Sequence, residues 1–211
     1  METLPSQKYP DDYPAPRQFA LVISCIDYRL LDDLVRFLAH ENLTNRYYHL
    51  AFAGASLMLS HEIEDQAKWP APKCGRPTGG PWWETLHAHL EAVIALTGGR
   101  LSDVYIVEHR DCGAYTHFLG ADYSHGTSTE ADPERDDHAA FALALRSRLE
   151  TWFRDYLARV NTEQKQEPKP TCPKQPLPHA PTVRCFMMGL RGEVIHLDAD
   201  EPAKGKRKGH R

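Results

Sequence analysis

The fold is decided near the amino terminus by the stretch FALVISC, residues Phe19–Cys25. Its first five residues form an unbroken apolar run, which is typical of a strand buried on both faces of a parallel sheet. The run stops at Ser24 and Cys25. The sequence therefore predicts a buried strand that delivers a cysteine to its carboxyl end.

Strand patterns alternate with helix patterns along the rest of the chain. The predicted strands cover 47–53 and 103–108, and a hairpin covers 182–188 and 194–197. The predicted helices cover 30–40, 84–97 and 134–160, with one more starting near Leu57. The apolar stripe from Phe141 to Leu157 is interpreted as core or as a dimer seam. This alternation predicts an α/β fold, with a mainly parallel central sheet flanked by helices.

The chain is expected to form a single α/β domain over residues 19–198. Residues 1–18 read as a polar, proline-containing extension, and 199–211 as a basic, disordered tail. Two insertions are expected, near 69–83 and 121–181, because both segments are longer than a compact domain of this kind would carry. Residues 69–83 hold several Pro and Gly residues, and 168–181 read as a proline-rich linker.

Composition excludes several classes of function. The formal net charge of −4 argues against a broad nucleic-acid interface. No apolar run approaches the roughly 20 residues that a membrane helix needs, and no signal peptide is recognisable, so a cytoplasmic protein is expected. Five cysteines is an odd number, which disfavours a disulfide framework and favours metal ligands or nucleophiles.

Three residues form a candidate metal site. Cys25 and His109 each follow a predicted buried strand, and ligand sites in open α/β sheets gather at that edge. Cys112 comes three residues after His109, so one turn can present both side chains to an ion. Two thiolates and an imidazole suit zinc, and three protein ligands leave the fourth tetrahedral position open to water, as in catalytic zinc sites.

Asp27 and Arg29 are the candidate catalytic pair beside this site. If the segment is extended, alternation places residues 25, 27 and 29 on one side. The Asp27 carboxylate then has two options: it can orient a water on the metal, or it can bind the metal and close the site. A forked pair with Arg29 would hold Asp27 away from the metal.

These residues carry a resemblance to the β-class carbonic anhydrases. Cys25–Arg29 resembles the family's C-x-D-x-R motif, and His109–Gly113 resembles its H-x-x-C-G motif. Ala53, Gly54 and Ala55 lie where the family has a small turn near the site, and with Gly113 they are the predicted substrate pocket. The turn at Gly189–Val194 resembles the family's late glycine-containing turn.

The resemblance implies zinc held by Cys25, His109 and Cys112, with Asp27 and Arg29 gating and orienting the bound water. It further implies carbon dioxide and bicarbonate as substrates and a homodimer or larger homo-oligomer. Two alternatives stay open. One is hydrolysis of carbonyl sulfide or carbon disulfide at the same zinc; the other is a catalytically silent zinc- or bicarbonate-binding protein, with Asp27 permanently on the metal.

The remaining cysteines and histidines are expected to be incidental. Cys74, Cys172 and Cys185 have no matching partners in sequence and are interpreted as loop or core residues. Surface positions are expected for four histidines that could in principle shuttle protons: His61, His117, His125 and His138.

Overall fold

The computed structural model describes residues 17–60, 80–123, 132–163, 165 and 174–198. In chain order the elements are β1 (Phe19–Cys25), α1 (Leu31–His40), β2 (Tyr47–Phe52), α2 (Gly80–Leu96), β3 (Leu101–His109), α3 (Gly113–Leu119), α4 (Pro133–Glu163), β4 (Thr182–Met188) and β5 (Val194–His196).

The strands form one mostly parallel sheet in the order β2-β1-β3-β4-β5. Strand β1 pairs in parallel with both β2 and β3, and β4 pairs in parallel with β3. Among the described strands only β5 runs antiparallel, through the predicted hairpin with β4. The predicted α/β fold with a mainly parallel central sheet is therefore confirmed.

Two predicted helix boundaries are wrong. Helix α2 begins at Gly80 rather than at Glu84, so residues 80–83 of the expected excursion are helical. Pro81 is compatible with this start, because proline is tolerated in the first turn of a helix. Residues 53–60 form turns, so no helix has begun by Leu57. The rest of the excursion, 69–79, lies outside the described residues.

Helices cover both faces of the sheet. On one face, α2 and α4 pack against Leu21, Ile23 and Val104. On the other, α1 and α3 pack against Val22 and its neighbours. Alternate residues of β1 thus enter opposite layers, which explains why the strand is apolar throughout.

Helix α4 is a layer of the core. Its buried residues include Phe141, Leu145, Leu149 and Phe153, so the apolar stripe is confirmed as core. The expected insertion at 121–181 therefore contains an element that the sheet needs. Residues 124–131, 164 and 166–173 of that segment lie outside the described part of the chain.

Among the described residues, no helix has both the length and the apolar character needed to cross a bilayer. The amino-terminal extension, apart from its last two residues, and the basic tail from 199 onward also lie outside the described residues. The division into extension, domain and tail stays a prediction.

Candidate metal centre

The three candidate ligands lie at the carboxyl edge of neighbouring strands. Cys25 is the last residue of β1 and His109 the last residue of β3, rather than the first residues beyond them. Cys112 directly precedes α3. Strand β1 has β2 on one side and β3 on the other, so this edge is the switch point at which α/β sheets place their ligands.

The three side chains converge in the interior. The Sγ atoms of Cys25 and Cys112 are 3.8 Å apart. One ligand atom from each of Cys25, His109 and Cys112 can be chosen so that all lie within 4.8 Å of one another. All three residues are buried. This group can hold a metal ion with two sulfur ligands and one nitrogen ligand.

The orientation of the His109 ring suits metal binding. Its Nδ1 lies 2.9 Å from the carbonyl oxygen of Arg110, and that acceptor requires the proton to be on Nδ1. The other nitrogen, Nε2, is buried and has no hydrogen-bond partner among the described residues. Leaving a buried acceptor unpartnered is costly, whereas a metal ion would satisfy it.

The surroundings of Cys25 favour its thiolate. The hydrogen bond with the Cys112 thiol, together with His109 and the Gly54 N–H, lowers the pKa of Cys25 against the opposing effect of burial. The Gly54 N–H lies 3.3 Å from the sulfur. The same hydrogen bond, together with burial, raises the pKa of Cys112. Because a metal ion binds the thiolate form of cysteine, a cation would compete with the proton between the two sulfurs.

Asp27 and Arg29 form the forked pair that the sequence predicts. Nε of Arg29 donates to Oδ1 of Asp27 at 3.0 Å, and Nη2 donates to Oδ2 at 2.8 Å. The hydrogen bonds from Arg29 lower the pKa of Asp27 to about 2. The nearest approach of Asp27 to the candidate ligands that the structure gives is 3.9 Å, from Oδ2 to Nε2 of His109.

The expected reason for this placement is wrong. Strand β1 ends at Cys25, so residues 25, 27 and 29 are not on one extended segment. The chain turns instead, and the Leu30 N–H donates to the carbonyl oxygen of Asp27. The main-chain N–H of Arg29 also donates to Oδ1 of Asp27. A turn rather than strand alternation brings the carboxylate to the site.

Arg29 also holds the loop between His109 and Cys112. It donates to Oδ2 and to the main-chain oxygen of Asp111, each at 2.8 Å. Asp111 has a φ of 53°, in the left-handed region that non-glycine residues seldom adopt. Glu134 of α4 accepts the Asp111 N–H. Contacts from both sides thus stabilise an unfavourable backbone conformation beside Cys112.

The four small residues of the predicted pocket have different surroundings. At Gly54 a Cβ would lie 2.9 Å from Cβ of Leu57, and φ is +73°, so glycine is required there. Ala55 is buried, and Ala53 is partly buried. At Gly113 a Cβ would meet no described atom within 4 Å, so packing does not require a glycine there. Their role as a substrate pocket stays a prediction.

Sequence reasoning missed a buried polar cluster behind the ligands. Glu108 on β3 accepts hydrogen bonds from Ser56, Tyr115 and His138. The expectation of a surface position for His138 is wrong, because the residue lies on the buried face of α4 and is 0% exposed. One feature of the sequence could have indicated this cluster: Glu108 is a carboxylate at the end of the apolar run Val104–Val107, directly before a candidate ligand.

The other incidental residues give no second site in the described part of the chain. Cys185 is buried on β4, as its interpretation as a core residue allows, and His117 is exposed on α3, as expected. His61, Cys74, His125 and Cys172 lie outside the described residues.

Comparison with known proteins gives little beyond the fold. No protein-family profile matches the chain. An uncharacterised protein of Rickettsia conorii is 27% identical over 100 residues, which cover 47% of this chain and 45% of that protein. An uncharacterised protein of Rickettsia bellii is 25% identical over 99 residues, covering 47% and 50%. The match thus spans about half the length of these relatives.

One solved structure is similar in outline. It is the β-carbonic anhydrase isoform I of Trichomonas vaginalis, with a TM-score of 0.36 and 15% identity, covering 88% of this chain and 85% of that protein. A likeness at this level carries no information on activity. Function has to be inferred from the site itself.

Proposed function

We propose that this protein binds zinc through Cys25, His109 and Cys112 and catalyses the reversible hydration of carbon dioxide to bicarbonate. The observation that carries the proposal is the unpartnered Nε2 of His109 beside two cysteine sulfurs, with an ionised Asp27 held close by. This combines a metal-binding set with a separate hydrogen-bond acceptor for water.

The donor set favours zinc over other common ions. Thiolates are soft ligands that select zinc, copper(I) and iron–sulfur clusters, and imidazole suits zinc as well. Magnesium and calcium prefer oxygen ligands, which this group does not offer. When bound in such a site, zinc supplies Lewis acidity that makes water a nucleophile near neutral pH.

Asp27 is proposed to act on the attacking water. Its carboxylate stays ionised at neutral pH, since its pKa is about 2, and it can accept a hydrogen bond from a water that approaches the ligand group. Accepting that hydrogen bond aims the water's lone pair at the carbon of carbon dioxide. The carbon–oxygen bond then forms, one water proton leaves to buffer, and bicarbonate departs.

Arg29 is proposed to keep the site open. Both oxygens of Asp27 accept from its guanidinium, which opposes movement of the carboxylate onto the metal. Because Arg29 is also fixed by Asp111, the pair is anchored to the loop that carries Cys112. This geometry supports an active enzyme over a silent binding protein with Asp27 on the zinc.

The proposal also covers the cellular location of the protein and its oligomeric state. Cys25 and Cys112 must stay reduced to bind a metal, and their sulfurs are only 3.8 Å apart, so a reducing compartment such as the cytoplasm is the proposed location.

A homodimer is proposed from the family resemblance alone. Sedimentation of the zinc-loaded protein tests it: a mass of at least twice 24.0 kDa is expected, and 24.0 kDa would contradict it.

Isotope exchange tests the substrate. Loss of oxygen-18 from labelled carbon dioxide into water is followed by mass spectrometry on protein with one zinc per chain, beside hydrolysis of carbonyl sulfide and carbon disulfide. Exchange well above the Asp27→Ala variant is expected. Hydrolysis of a sulfur gas without carbon dioxide exchange would make that gas the substrate in place of carbon dioxide. No turnover of any gas would favour the catalytically silent binding protein.

A further inference from the structure

The Glu108 carboxylate is buried where an apolar side chain would be expected. Only 1% of the residue is exposed. Its Oε1 accepts the main-chain N–H of Ser56 at 2.9 Å, and its Oε2 accepts from the Tyr115 hydroxyl at 3.2 Å and from Nδ1 of His138 at 2.8 Å. An unsatisfied buried carboxylate costs several kcal/mol, so these three donors are what make the position tolerable.

The hydrogen bonds of Glu108 reach segments that carry or contact the candidate ligands. Glu108 itself is bonded covalently to His109. Ser56 is two residues after Gly54, whose N–H donates to the Cys25 sulfur. Tyr115 is three residues after Cys112, and its own N–H donates to the Cys112 carbonyl oxygen. One carboxylate therefore joins the turn at Gly54–Ser56 to the end of β3 and the start of α3.

Helix α4 fixes this carboxylate from behind. His138 stacks on the Tyr115 ring with centroids 3.7 Å apart, so its donor position is held by packing. Glu134 lies one helical turn earlier and accepts from the Asp111 N–H and, at 3.1 Å, from Arg110. Residues four apart share one face of a helix, and this face of α4 supports both sides of the His109–Cys112 loop.

We infer that Glu108 is a positioning residue for the metal centre and that His138 is its support. The inference rests on the proposed metal-binding function. Buried polar groups often stabilise less than a well-packed apolar residue would, so stability alone does not account for this cluster. Its hydrogen bonds instead determine where Gly54, His109 and Cys112 lie relative to one another.

The test compares Glu108→Gln with Asp103→Asn in the full chain. Glutamine keeps an acceptor for Ser56 but presents an amide donor to Tyr115 and His138. Asp103 is at the opposite end of the same strand and pairs with Arg184, so its variant is a control for losing a carboxylate on β3. Zinc affinity is measured by chelator competition, and ligand geometry by the sulfur-to-metal charge-transfer bands of the cobalt(II) protein.

Glu108→Gln is expected to weaken zinc binding by about 10- to 100-fold, the usual effect of losing an outer partner of a metal ligand. Its cobalt bands are expected to shift, while Asp103→Asn keeps the wild-type affinity and spectrum. A folded Glu108→Gln protein with wild-type affinity and spectrum would overturn the inference. If Glu108→Gln does not fold, His138→Phe keeps a ring against Tyr115 but removes the donor, and the same outcomes apply.

Failure of the proposed metal site is recognised separately. If the wild-type protein binds neither zinc nor cobalt, the proposed function fails before any variant is compared. The positioning role is then judged by hydrogen exchange of the Gly54 and Ser56 amides in the metal-free protein. Faster exchange in Glu108→Gln than in Asp103→Asn supports the role, and equal exchange rejects it.

Discussion

Arg29 donates to both the carboxylate and the main-chain oxygen of Asp111, 82 positions further along the chain, at 2.8 Å each. The remaining donors of the same guanidinium hold Asp27. The turn after β1 and the loop after β3 are therefore joined by one side chain. Arginine suits this task because its planar fork can serve two acceptors at once.

Removing Arg29 is expected to abolish activity without removing the metal. In Arg29→Ala the Asp27 carboxylate loses its partner and is free to bind the metal, so carbon dioxide hydration should fall by about 100-fold or more. Zinc content should stay at one per chain by elemental analysis. Arg36→Ala is the matched control, because Arg36 forms an exposed pair with Asp33 on α1 and should leave activity unchanged. Full activity in Arg29→Ala would refute the gating role.

Cys112→Ser is expected to lose most of the bound zinc. A serine hydroxyl is a harder and less acidic ligand than a thiol, so zinc affinity should drop by more than the roughly tenfold that the mildest loss of an outer partner costs. Chelator competition measures the change. Cys185→Ser serves as the control, since Cys185 is buried outside the site. Equal zinc affinity in Cys112→Ser and wild type would remove Cys112 from the ligand set.

Zinc is expected to stabilise the folded chain. A ligand that binds only the folded state at 100 times its dissociation constant adds about 2.7 kcal/mol. Urea unfolding with excess zinc and with chelator should therefore differ by roughly that amount in wild type, and the difference should nearly vanish in Cys112→Ser. Identical unfolding curves for wild type with and without zinc would count against a folded-state metal site.

Asp132 gives a stability contribution with a defined pH dependence. The carboxylate accepts from Arg110 and from the N–H of Arg135 in the first turn of α4, and these contacts lower its pKa. Because the pKa of Asp132 is lower in the folded protein than in the unfolded chain, its contacts stabilise the fold at pH values above the unfolded pKa of about 3.9. This stabilisation is lost as the pH falls from there through the lowered pKa of the folded state.

Asp132→Asn keeps a good helix cap but loses the ion pair. At pH 7 the metal-free variant should be less stable than metal-free wild type by about 1 kcal/mol in urea unfolding. The two proteins should converge as the pH falls below about 4. A difference that is constant between pH 7 and pH 3 would contradict this origin.

The ligand group was predictable because the sequence shows where the buried strands end. The apolar runs before Cys25 and His109 mark buried parallel strands, and parallel strands end at the same edge of a sheet. Adjacent strands β1 and β3 then bring Cys25 and His109 together, as the structure has it. The chemistry of two thiols and an imidazole follows from residue type alone.

The polar support behind the ligands was not predictable in the same way. Position 138 is in phase with Phe141 and Leu145 on α4, so the periodicity was consistent with its burial, but its partner Glu108 is 30 positions earlier. Such a contact depends on how α4 docks onto the sheet, which periodicity does not encode. The turn at Asp27 was also missed, because alternation was extended beyond the end of β1.

Stopped-flow measurement of carbon dioxide hydration at mildly alkaline pH tests the central claim most directly. Wild type with one zinc per chain is compared with Asp27→Asn, which keeps the shape of the side chain but removes its charge. We predict rapid turnover in wild type and a loss of about 100-fold or more in Asp27→Asn at unchanged zinc content. Fully zinc-loaded wild type without turnover, or an Asp27→Asn variant as fast as wild type, would contradict the proposed chemistry.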